Sequence, residues 1–232
     1  MIGGLAALVR AARTSKKAQG ELLALLRTNE FEVGEAAGVA LPLVLELVAS
    51  RDTPRREHPL DEIYANTAEV GSRGAEPWVH RNWRPAWEAA KPAMVALLDD
   101  DSAGVRQSVL FVLGQGRGDS ALVLPALTRL WHAETDPATR LCVVDTAVEL
   151  AMTGDRAAVE WLRALEVGDD EPEARMLVSA AVRPDPGVIE RGLAGRAELF
   201  REARSFEMSP DQVRAHVRWV EERLEDVRRD LE

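Results

Sequence analysis

Cysteine is almost missing: one residue, Cys142, in a chain of 232. A single cysteine excludes an intrachain disulfide and a multi-thiolate metal site, and it suits a reducing compartment. Its neighbours Leu141, Val143 and Val144 predict an inert, buried thiol. Aromatics are scarce at 5%, with one Tyr and four Phe. Strands draw on Val, Ile, Tyr, Phe and Thr; this chain is rich instead in Ala, Leu, Glu and Arg, which favour helix. Long apolar runs are also missing, and nothing approaches the ~20 residues needed to cross a bilayer. The apolar start, residues 1–9, carries no charge ahead of it and no small-residue cleavage site behind it. That is not the pattern of a signal peptide, and the expected location is cytoplasmic. Basic charge is in deficit, with 29 Lys and Arg against 39 Asp and Glu, a net −10. Affinity for nucleic acid comes largely from Lys and Arg on phosphates, so this balance argues against a nucleic-acid partner.

Catalytic signatures are missing too. His58, His80, His132 and His216 form no two-histidine zinc motif, and neither a phosphate loop nor a serine elbow is present. The run Gly114-Gln-Gly116-Arg-Gly118 follows a helical pattern, whereas a dinucleotide loop follows a strand. It reads as a turn. The expectation is no catalytic residue, no metal and no cofactor.

What the chain does have is a recurring cassette. Pro42-Leu-Val-Leu-Glu-Leu-Val precedes Asp52-Thr-Pro-Arg-Arg56, and Pro92-Ala-Met-Val-Ala-Leu-Leu precedes Ser102-Ala-Gly-Val-Arg106. Pro125-Ala-Leu-Thr-Arg-Leu-Trp precedes Asp136-Pro-Ala-Thr-Arg140. A fourth copy lacks the first proline but keeps Trp161-Leu-Arg-Ala-Leu and Glu171-Pro-Glu-Ala-Arg175. The closing arginines lie 50, 34 and 35 residues apart, a period that fits stacked helix pairs. Apolar residues at +1, +2 and +5 from each proline line one face of a first helix. A short acidic or polar stretch then offers oxygens to the N–H groups opening a second helix. Pro54, Pro137 and Pro172 are expected in its first turn, where a missing N–H costs little. Asp52, Asp136 and Glu171, with Arg56, Arg106, Arg140 and Arg175, are therefore structural repeat positions. Each arginine has two possible partners: the cap one turn before it, or the cap of the neighbouring unit. The consecutive Asp99, Asp100 and Asp101 cannot converge as a dedicated calcium loop does and read as capping.

This cassette resembles the HEAT repeat, with a proline in the first helix, an Asp at the turn and an Arg early in the second. Gly118-Asp119 and Gly154-Asp155 sit where that family places inter-repeat turns. Ala36-Ala-Gly-Val-Ala-Leu-Pro-Leu-Val-Leu-Glu-Leu, with Thr53-Pro-Arg-Arg56 behind it, looks like small actinobacterial-type HEAT proteins. The resemblance covers residues 35–183. It implies an all-α fold, an α-solenoid in which antiparallel helix pairs form a right-handed superhelix, with a concave face that binds partners. The expected organisation is one solenoid domain over 1–232. It comprises N-terminal helices in 1–34, HEAT-like repeats in 35–183 and C-terminal capping helices in 184–232.

Three segments stand apart from the cassette. Residues 71–84 interrupt the helical pattern, and an inserted loop of that length is often functional. Trp78, His80, Arg81, Trp83 and Arg84, with Trp87 just beyond, combine the residue types enriched at binding hot spots. They are the candidate partner-binding residues; the alternative is that the tryptophans seal the loop onto the fold. Residues 1–20 hold Arg10, Arg13, Lys16 and Lys17 and no acid, either a solvated helix end or a patch for an acidic partner or membrane surface. Ser209-Pro210-Asp211-Gln212 opens a C-terminal helix. Its Val213, Val217, Val220, Leu224, Val227 and Leu231 form a heptad stripe, either a cap on the last repeat or a homodimer seam across 210–231.

The leading functional expectation is a noncatalytic scaffold gripping a protein or peptide on its concave face and Trp-rich loop. One alternative is a HEAT-like DNA-binding protein or alkylpurine DNA glycosylase, with Asp145 or Glu149 as the carboxylate. Another is an immunity or antitoxin-like inhibitor, its acidic surface neutralising a basic toxin.

Overall fold

The computed structural model describes residues 2–24, 35–61, 63, 82–116, 120–182, 185, 187 and 188. Among the described residues all regular secondary structure is helical, with no strand. The helices are α1 (Ile2–Ala12), α2 (Lys16–Leu23), α3 (Glu35–Ala49), α4 (Trp83–Ala96), α5 (Ala103–Gly114), α6 (Ser120–Ala133), α7 (Pro137–Met152), α8 (Arg156–Ala164) and α9 (Pro172–Val182). A 3-10 turn, Leu97–Asp99, follows α4. The chain divides into two compact units, Met1–Gln115 and Gly116–Glu232.

Polar residues open these helices, Ser102 and Asp136 where the sequence expects capping, and Ser15 and Asp155 in addition. Ser15 Oγ accepts from Ala18 N–H at 3.3 Å and Ser102 Oγ from Val105 N–H at 3.4 Å. Asp136 Oδ2 accepts from Thr139 N–H at 2.8 Å, and Asp155 Oδ1 takes Ala157 and Ala158 N–H at 3.0 and 3.3 Å. Each bond satisfies a donor that the first turn leaves without a helical partner. Gly154 precedes Asp155 with φ 89°, a left-handed conformation that glycine adopts without a Cβ clash. Pro137 and Pro172 begin α7 and α9. Pro54 does not begin a helix: residues 51–57 form turns and helix resumes at 58. The turn is closed by Thr53 N–H to Ser50 O and His58 N–H to Arg55 O, both 3.0 Å, and Arg55 takes φ 53°. Pro42, Pro92 and Pro125 lie inside α3, α4 and α6 on their exposed sides, where water can satisfy the carbonyl that each proline leaves open.

In the first unit, α1 and α2 pack on one another and both touch α3, which lies against α4. Leu22, Leu41, Leu47, Leu60, Ile63, Met94, Leu110 and Leu113 are fully buried there. The +2 and +5 cassette positions, Val44 and Leu47, then Met94 and Leu97, are buried, whereas the +1 positions fall at the stripe's edge, with Leu43 half-buried and Ala93 exposed. Gly38 allows α3 to approach the start of α4: a Cβ there would stand 2.8 Å from Asn82 O.

In the second unit, α7 is the core. Nearly every residue from Ala138 to Met152 is buried, the pattern of a helix packed on all sides. Cys142, 1% exposed, lies in its middle. α7 packs against α6, α8 and α9, and alternate helices also touch, α6 with α8 and α7 with α9. Trp161 Nε1 of α8 donates to Thr128 Oγ1 of α6 at 2.8 Å, tying that second contact.

Candidate functional site

Two of the four recurring arginines, Arg56 and Arg140, clasp turns distant in sequence. In the first unit Arg56 Nη2 donates to Asp100 Oδ1, 44 residues along the chain. The two side chains are 9% and 11% exposed. The same Oδ1 accepts Ser102 N–H at 2.8 Å, and Arg106 Nη1 donates to Asp100 O at 2.8 Å. Burial alone would push the Asp100 carboxyl up. The Ser102 N–H and the Arg56 guanidinium more than offset it and hold the carboxyl below its ordinary 3.8.

In the second unit Arg140 makes a two-pronged contact with Glu171, 31 residues on. Nε reaches Oε1 and Nη2 reaches Oε2 at 2.9 Å. Nη1 donates to Trp131 O at 2.7 Å, and the guanidinium lies 3.7 Å above the Trp131 ring. Hydrogen bonding to Glu171 raises its pKa above the ordinary guanidinium value, against the opposing effect of burial. Arg56 and Arg140 thus reach forward to another turn, whereas Arg175 Nη1 turns back to Asp169. Asp136 accepts from Thr139 N–H and from Thr139 Oγ1 at 2.6 Å, and Asp52 is exposed in the 51–57 turn.

An open cleft of about 510 Å³ lies beside the Arg140–Glu171 clasp. One wall is the turn from α6 to α7, with Glu134, Thr135 and Pro137; the other is the turn into α9, with Gly168, Asp170, Glu171 and Glu173. Leu141 and Ala174 supply apolar surface. Four carboxylates therefore face one guanidinium, and that guanidinium is already engaged by Glu171. Such a lining attracts a cationic group. No His or Cys lines the cleft, and no cluster among the described residues is arranged to hold a metal. Glu134 and Asp170 were legible in sequence only as part of the recurring acidic stretches, and Glu173 only within the Glu171-Pro-Glu-Ala-Arg175 cassette; the capping pattern hid that the two stretches face each other across a gap.

The Trp-rich candidates divide. Trp83 opens α4, two residues inside the expected loop, and is 3% exposed; Trp87 is 8% exposed. Their rings stack at 6.2 Å with 27° between planes, so both belong to the first unit's core. Arg84 is exposed. Trp78, His80 and Arg81 lie outside the described residues, as does the heptad helix 210–231. Of the two candidate carboxylates, Asp145 is 2% exposed inside α7 and Glu149 is half-buried; neither lines the cleft. Comparison with protein-family models, with curated proteins and with solved structures returned no match.

Proposed function

We propose that the chain is a noncatalytic interaction scaffold built from HEAT-like helix pairs, and that its second unit receives a basic side chain of a partner protein or peptide. The observation carrying this reading is the 510 Å³ cleft, in which carboxylates from two successive turns surround an arginine that Glu171 already engages. The cassette, the forward-reaching clasps and the contacts between alternate helices support the solenoid architecture behind it. The charge of the second unit supports the choice of partner: Gly116–Glu232 holds 24 acidic residues against 16 basic ones, so a cationic ligand is steered toward it. The same acidity favours one relative of this reading, an inhibitor of a basic toxin.

The test is titration of the full chain with an Arg-rich octapeptide at physiological salt, followed by calorimetry. Saturable binding that is lost in Glu134→Lys/Asp170→Lys, with the helical circular dichroism unchanged, is the expected result. Absence of binding, or binding indifferent to those substitutions, refutes the cleft as the partner site.

A further inference from the structure

The first unit carries the opposite charge on one corner. Arg10 lies in the last turn of α1, Arg13 in the turn just after it, Lys16 and Lys17 begin α2, and all four are exposed. Lys17 alone is paired, with Glu21 at 3.9 Å, and both side chains are well exposed; such a contact holds the lysine only weakly. Gln19, one turn after Lys16 on the same stripe, is buried and donates from Nε2 to Pro54 O at 3.4 Å. That contact sets the stripe against the 51–57 turn, where the next residue is Arg55. Arg55 is exposed and has φ 53°, a conformation uncommon outside glycine. Arg10, Arg13, Lys16 and Arg55 make no ion pair with any described residue. A glycine would take this turn without strain, and the exposed Arg55 side chain makes no ion pair with a described residue to offset it. What it adds is a positive charge on the turn that Gln19 contacts, where Asp52 is the nearest exposed carboxylate in sequence.

We propose that this corner, the α1–α2 turn together with Arg55, docks a short Asp/Glu-rich segment of a partner protein. Arginine forks match carboxylates in pairs, and three of the five cations are arginines. The size of the patch selects the ligand. Exposed Glu21 on α2 and exposed Asp52 in the 51–57 turn flank the cations, so a long duplex or an extended anionic bilayer that covered this corner would also meet carboxylates. A short flexible segment meets only the corner. Among the described residues no aromatic side chain lies next in sequence to the five cations, so these segments offer nucleobases no stacking platform. These residues belong to the first unit and the cleft to the second, and the two take ligands of opposite charge.

The experiment is fluorescence anisotropy of a labelled octaglutamate peptide against the full chain, at low and physiological salt. Saturable binding that weakens with salt is expected, with Arg13→Glu/Lys16→Glu/Arg55→Glu reducing affinity about tenfold or more. The control Arg129→Glu/Arg163→Glu, with both changes in the second unit, should leave binding unchanged. Arg55→Gly suits the left-handed turn, so it should fold at least as well as the parent yet bind several-fold more weakly. That single change keeps the proposal testable if the triple variant misfolds. Three results would overturn it: no saturable binding, equal losses in the control, or tighter binding to an octathymidylate strand or to phosphatidylserine vesicles. Because the Arg-rich peptide and the cleft variants probe the other unit, either proposal can fail without the other.

Discussion

Arg140 is held by more interactions than a surface arginine ordinarily makes. It has both oxygens of Glu171, the Trp131 carbonyl and the face of the Trp131 indole. At 22% and 18% side-chain exposure the pair is neither fully screened nor fully desolvated. Removing either partner should therefore cost about 1–3 kcal/mol, and Arg140→Lys should recover only part of it, because an ammonium cannot span both carboxylate oxygens. A double-mutant cycle of Arg140→Met and Glu171→Gln, followed by urea unfolding, should give a coupling of about 1 kcal/mol. Asp100 makes the matching prediction in pH. Its carboxyl is depressed in the folded chain, so the unfolded chain takes up protons first as pH falls. The stabilisation is fully present above the ordinary value of 3.8 and is lost as pH falls through the lower folded value. Unfolding measured from pH 6 down to 2.5 should show Asp100→Asn less stable than the parent at the upper end, with the gap closing in acid.

Between elements, the contact of α3 with α4 hinges on a missing side chain. Gly38→Ala would drive a methyl to 2.8 Å from Asn82 O, the carbonyl that accepts Ala86 N–H in the opening turn of α4. The expected cost is about 1–3 kcal/mol. Gly20, in the middle of α2, has nothing within 4 Å of its would-be Cβ, so Gly20→Ala should instead stabilise by about 0.5–1 kcal/mol. Thermal melts of the two variants should move in opposite directions. Helices of this kind were legible in the sequence because their signals are local: apolar spacing, a capping oxygen, a proline at the first position. Asp136 and Pro137 announce α7 with no knowledge of its surroundings. Pro54 gave the same local signal and it misled, because that turn is tied instead to distant groups, Gln19 through Pro54 O and Asp100 through Arg56. The partners of Arg56 and Arg140 were undecided for the same reason. The cap one turn away and the cap in the next unit present identical chemistry, and only the packing of helix on helix chooses between them. The cleft was illegible because it is a gap between two turns, each of which reads by itself as a cap. The tryptophans pointed to binding by residue type, whereas Trp83 and Trp87 are spent on the core.

At the scale of the whole chain, charge is unevenly shared. Met1–Gln115 holds 13 basic and 15 acidic residues, Gly116–Glu232 16 and 24. Such an excess of one sign repels itself in the folded state. Added salt screens that repulsion more strongly than it weakens the largely buried Arg56–Asp100 pair. Raising sodium chloride from 20 to 300 mM should therefore lift Tm by about 2–4 °C, equivalent to roughly 1 kcal/mol. A fall in Tm over that range would mean that the clasps, and not the net charge, dominate the electrostatics.

Asp100 Oδ1 serves two masters: it receives Ser102 N–H at the opening of its own helix, and Arg56 from 44 residues earlier. Initiation of one helix and anchorage of a preceding turn thus share a single oxygen atom. The evolutionary corollary is that length changes should be quantised. Deleting a handful of residues between Arg56 and Asp100, or between Arg140 and Glu171, strands a cation on one side and a carboxylate on the other. Excising a block of 34 residues, the interval from Arg106 to Arg140, instead joins equivalent positions and offers Glu171 a fresh counterpart in Arg106.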